Sequence, residues 1–184
     1  MKSKISRRLV IDASVASSSG GPDAKQPCST RCRDFLQKTL EVCHRVVMMP
    51  ALLAEWDEHQ SKFAKHWRTI MAKKGKWLLP STCESPRLRH TIGNLTAPEW
   101  SETEVAAMKK DVHLIEASLW SDRIVISLDD TARTNFARAC TVVPRIKDVV
   151  WRNPATELDL CVWLENGANA EDYMKLGFTP KTKQ

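Results

Sequence analysis

Arg7-Arg8-Leu9-Val10-Ile11-Asp12 is the stretch whose reading decides the fold. A short apolar run rich in β-branched residues, with no alternation of polar side chains, describes a strand buried on both faces of a parallel sheet. It ends abruptly on a carboxylate. Three later stretches repeat the pattern: His44–Met49 (HRVVMM), Arg123–Ser127 (RIVIS), which runs into Leu128-Asp129-Asp130, and the short Val149-Val150-Trp151. Between them the apolar spacing is helical. Phe35, Leu36, Leu40 and Cys43 share one face, and Pro50 opens a helix carrying Leu52, Leu53, Glu55 and Trp56. Phe63, Trp67, Ile70 and Met71 line another helix, which Gly75 stops.

The remaining segments follow from turn and cap chemistry. Ala13–Pro27 (ASVASSSGGPDAKQP) reads as a loop, and residues 76–100, with Pro80, Pro86, Gly93 and Pro98, read as an insertion or extended connection. Ser101-Glu102-Thr103-Glu104 is a capping box that starts a helix. Asp111 heads or interrupts the turn before Leu114, Ile115 and Leu119. Helices are also expected from Thr131 to Ala139 and from Thr156 to Asn166, the second ended by Gly167. Strands alternating with helices give an α/β fold, a parallel sheet flanked by helices on both faces.

Composition sets bounds around this frame. The 184 residues suit one domain, 1–184, with an extended segment around 60–105. No apolar run approaches the roughly 20 residues that span a bilayer, and the basic N-terminus is followed by too short an apolar stretch for a signal peptide. A cytoplasmic protein without membrane contact is expected. The six cysteines contain no CxxC pair, so reduced thiols are expected rather than structural zinc. A net charge of +6 favours a polyanionic partner.

Four acids stand out by position. Asp12 and Asp129 end strands, where ligands bind in open α/β sheets. Glu55 lies one turn into the helix after Pro50, and Asp111 heads DVHLIEASL. Clustered carboxylates repel one another unless a cation balances them, and Mg²⁺ or Mn²⁺ prefers oxygen ligands. Taken singly, each has a plainer reading: an aspartate after a strand is often a turn or cap residue, and a helical glutamate is usually solvated.

The segments Leu9-Val10-Ile11-Asp12-Ala13-Ser14, Met49-Pro50-Ala51-Leu52-Leu53-Ala54-Glu55, Asp111–Leu119 and Ile124-Val125-Ile126-Ser127-Leu128-Asp129, in that order, resemble the PIN-domain family, the ribonuclease fold of VapC-type toxins. The resemblance implies that Asp12, Glu55, Asp111 and Asp129 hold a divalent metal, Mg²⁺ or Mn²⁺, and that Ser127 orients a neighbouring acid or a water. It implies an endoribonuclease acting on RNA, and it is compatible with a homodimer and with an antitoxin protein as partner. The chain is longer than a toxin-type PIN domain, and Asp130, with Asp122 nearby, competes with Asp129 as fourth ligand. Asp129 has the family's spacing from the strand, and Asp130 is expected to cap the helix from Thr131.

Other candidates carry less. Glu116 either joins the acids or lies on a solvated face, and His113 reads as a partly buried structural histidine. His59, His66 and His90 have no triad-like partners, so nucleophilic Ser or Cys catalysis has no support. Lys62, Lys65, His66, Lys73 and Lys74, with Lys76 beyond, form a basic helix face that either grips phosphates or is merely solvated. Trp67, Phe63 and Ile70 read as core or dimer-interface residues, and Trp100, Trp120, Trp151 and Trp163 as packing. The competing functional reading is a non-catalytic module with this fold that binds nucleic acid or a protein.

Overall fold

In the computed structural model, residues 5–21 and 25–180 are described. The basic residues ahead of Ile5 and positions 22–24 of the expected loop lie outside them. Five strands, β1 (Arg8–Ile11), β2 (Arg45–Val47), β3 (Trp77–Leu78), β4 (Ile124–Ile126) and β5 (Val150–Arg152), alternate with helices. The helices are α1 (Ala13–Ser18), α2 (Pro27–Glu41), α3 (Pro50–His59), α4 (Lys62–Lys73), α5 (Pro86–Gly93), α6 (Glu102–Trp120), α7 (Asp130–Ala139) and α8 (Leu160–Glu165).

All strand pairs are parallel and the order is β3-β2-β1-β4-β5. The chain moves outward from β1 to β3, then returns across the sheet to β4. Right-handed crossovers therefore place the connections before β3 on one face and those after it on the other. The contacts agree: α2 packs on α1 and α4, and α6 packs on α5 and α7, while α8, which follows the last strand and is not a crossover, returns to pack on α2. The direction reverses between β1 and β4, whose carboxyl ends lie side by side through Ile11 and Ile126.

β1 is central and wholly buried at Leu9, Val10 and Ile11, as a strand covered on both faces requires. Trp56, Trp67 and Trp77 pack ring against ring at centroid separations of 5.7–6.2 Å, binding α3, α4 and β3 together. The segment expected to be irregular is thus part of the fold. It supplies β3 beside β2, and α5 buries Leu88 and Ile92. Trp100, Trp151 and Trp163 are buried, but Trp120 is 43% exposed and lies under the Arg8 guanidinium.

Three boundaries differ from expectation. Ala13–Ser18 is a helix rather than a loop, because Ala13, Val15 and Ala16 form a buried face. Asp111 lies in the middle of a continuous 19-residue helix, not at a helix head, because Val105, Met108, Val112 and Ile115 keep one buried face through it. The last helix begins at Leu160 rather than Thr156. The Ser101–Glu104 capping box, the Pro50 start and the stop at Gly75 (φ +64°) are all present.

Candidate acidic site at the carboxyl ends of β1 and β4

Asp12 leaves β1 with its backbone N–H donating to the Ile126 carbonyl at 2.9 Å, which extends the sheet pairing by one step. It occupies the N-cap position of α1, yet its side chain accepts no capping bond. The plain reading of a strand-end aspartate as a cap residue fails for Asp12, though it holds for Asp129. Oδ2 instead accepts from Ser14 Oγ at 2.5 Å and from Ser127 Oγ at 2.6 Å. Each hydroxyl in turn accepts from the β4–α7 connection: Leu128 N–H reaches Ser14 at 3.2 Å, and Asp129 N–H reaches Ser127 at 3.1 Å. Two parallel relays clamp the ends of β1 and β4 together. Oδ1 of Asp12 accepts no protein hydrogen bond among the described residues.

Asp12, Glu55, Asp111 and Asp129 all line one cavity of about 280 Å³, with Ser14, Ser17, His59, Lys110, Leu114 and Ser127. Each arrives from a different element. Glu55 is carried by α3, which is tied to the end of β1 by the Trp56 indole N–H donating to the Ile11 carbonyl at 2.9 Å. Asp111 comes from the middle of α6. Burial, then the negative charges of Asp12 and Asp129, push its carboxyl up to about 6, with Lys110 and His113 opposing. Asp129 is the N-cap of α7, and its Oδ1 accepts from Ala132 N–H at 2.7 Å.

His113 is buried beside the cavity. Its Nδ1 donates to the Lys110 carbonyl at 2.9 Å, and its Nε2 lies 3.4 Å from Glu55 Oε2 without completing a hydrogen bond. The donor set of four carboxylates and three serine hydroxyls is all oxygen, the chemistry a hard divalent cation takes. The raised Asp111 carboxyl marks negative charge that such a cation would relieve. Among the described residues no three His, Cys, Asp or Glu side chains are drawn together closely enough to hold a metal ion. Donor type and charge are those a hard cation takes.

Several acids are placed elsewhere. Asp122 pairs with Arg8 at 2.8 Å, at the opposite end of β1, and is no rival for Asp129. Asp130 is the first residue of α7 rather than its cap, and it accepts from Asn153 Nδ2 at 3.1 Å. Glu116 neither joins the site nor faces solvent. Its side chain is wholly buried and accepts from Arg89 at 2.9 and 2.7 Å and from Ser85 N–H at 2.8 Å. Ser14, Ser17, His59 and Lys110 line the cavity without having been singled out for it. The only sequence signal for Ser14 is its place two residues after the strand-end aspartate.

None of the six cysteines is in a disulfide, and burial pushes the Cys32 thiol up to about 12. No helix among the described residues is long and apolar enough to cross a membrane. No family model matches the chain, and neither a curated protein nor a solved structure does.

Proposed function

We propose that the protein is a PIN-like, divalent-metal-dependent endoribonuclease. The observation that carries the reading is the convergence of four carboxylates, remote in sequence, on one cavity at the point where the sheet order reverses. Ligands of open α/β sheets bind at that position. Asp12 and Asp111 would hold Mg²⁺ or Mn²⁺, with Glu55 and Asp129 facing the same cavity. Bound there, the ion would supply a water of lowered pKa and neutralise charge on the reacting oxygens of a phosphodiester.

The chain's own contribution is positioning. Ser14 and Ser127 fix one oxygen of Asp12 and leave the other unbonded to protein. Lys110 at the rim offers a positive charge to a phosphate, and Leu114 and Ala132 give the cavity apolar walls. The deciding experiment is cleavage of RNA by the purified protein with Mg²⁺ or Mn²⁺. Activity lost in chelator and in Asp12→Asn supports the reading, and cleavage indifferent to both removes it. A toxin role with an antitoxin partner is an extension of this reading, for which a growth defect on expression alone is the test.

A non-catalytic binding module is the second reading. It is favoured by the structural roles of two of the acids, since Asp129 caps α7 and Glu55 faces His113. Absence of saturable Mn²⁺ binding would decide for it.

A further inference from the structure

The segment Ser61–Lys76 contains six Lys and Arg residues and no Asp or Glu. The whole chain has 28 basic against 22 acidic residues, an excess of the same size, so the remainder of the chain is balanced. Two of the six are engaged: Arg68 pairs with Asp57 and lies over the Trp77 ring, and Lys76 donates to the Leu40 and Val42 carbonyls. Lys62, Lys65, Lys73 and Lys74 are exposed, and none has an ion-pair partner among the described residues.

At 100° per residue, Lys62, Lys65, His66, Thr69 and Lys73 fall within about 100° of arc on α4, opposite the buried Ala64, Trp67 and Met71. The stripe is about 16 Å long at 1.5 Å per residue. That length is enough to face more than one successive phosphate of a single strand, whose charges a row of lysines can neutralise. Its near end is fixed beside the acidic cavity. Ser61 N–H donates to the Ala16 carbonyl at 3.2 Å, Ser61 Oγ meets Ser19 Oγ at 2.7 Å, and Phe63 N–H reaches the Gly20 carbonyl at 3.4 Å. These contacts tie α4 to α1, whose Ser14 and Ser17 line the cavity, while His59, three residues before Lys62, lines it from α3.

We infer that the α4 stripe is the backbone-binding track of a single-stranded RNA, gripping phosphates on one side of the bond presented to the acids. The direction of the track rests on the nuclease reading, whereas the binding itself does not. Lysine contacts to phosphate carry no sequence information, so the stripe supplies affinity and register rather than base preference.

The test is fluorescence anisotropy of a short labelled single-stranded RNA in EDTA, where no metal-dependent cleavage occurs, across a range of salt concentrations. In Lys62→Gln/Lys65→Gln/Lys73→Gln the slope of log affinity against log salt should fall by about 2, and binding at low salt should weaken at least about tenfold. Lys147→Gln, on the other side of the sheet, should bind as the parent does. Should the triple variant melt early, Lys65→Gln and Lys73→Gln singly should each lower the slope by about 0.7. Unchanged slopes, an equal loss in Lys147→Gln, or a parent that binds anionic lipid vesicles but not RNA would overturn the inference. A parent protein that binds through the stripe yet cleaves no RNA with Mg²⁺ or Mn²⁺ would refute the nuclease reading and leave the track standing.

Discussion

The hydroxyl of Ser127 donates to Asp12 Oδ2 at 2.6 Å across 115 residues of chain, and the same oxygen of Ser127 accepts from Asp129 N–H. One wholly buried hydroxyl thereby sets the orientation of one acid and the backbone that carries another.

Ser127→Ala should therefore act on both stability and chemistry. Loss of the two bonds should lower unfolding free energy by about 1–2 kcal/mol in denaturant titration. RNA cleavage should fall while binding measured in chelator is retained. Cleavage at the parent rate would show that Asp12 needs no such support.

Asp111 gives a pH signature in metal-free protein. Its folded carboxyl sits at about 6 against an ordinary 3.8, so the folded chain binds this proton more tightly than the unfolded chain does. The contribution favours folding below about 3.8, is lost as pH rises through about 6, and opposes folding at neutral pH. Asp111→Asn should accordingly raise the melting temperature at pH 7.5, by an amount corresponding to roughly 1–3 kcal/mol, and change it little near pH 4. A variant less stable at both pH values would contradict the repulsion described here.

The parts of this arrangement legible in the sequence are those where burial imposes a pattern. Leu9–Ile11, Val46–Val47 and Ile124–Ile126 read as strands because both faces are covered, and Asp12 and Asp129 are conspicuous as charges at their ends. β3 was not legible, since two half-buried residues at a sheet edge give neither alternation nor a β-branched run. α1 was hidden because serine is a weak helix former and a frequent loop residue, and its helix is held by tertiary packing of Ala13, Val15 and Ala16. Asp111 looked like a helix start because acids favour first turns. Its place in mid-helix follows from contacts the sequence does not display. Nothing local to Glu116 announces its partner, Arg89, 27 positions away, so the sequence alone leaves it between the site and the surface.

That Arg89–Glu116 pair makes a prediction of its own. Removing Arg89 leaves a buried carboxylate with only the Ser85 N–H. Arg89→Met should cost about 2 kcal/mol or more, toward the lower end for a buried pair because Arg89 is 42% exposed. Arg89→Met/Glu116→Leu should recover much of the loss, and chemical denaturation of the two variants measures it. A double variant no more stable than the single would mean that the pair is not the origin of the cost.

Calorimetric titration of the protein with Mn²⁺ reaches the central claim most directly, because it asks whether the gathered acids take up a hard cation, independently of any substrate. Saturable binding, abolished in Asp12→Asn and in Asp111→Asn while both variants remain folded, is the predicted result. Heats that never saturate, or a binding curve the two substitutions leave intact, would contradict the account.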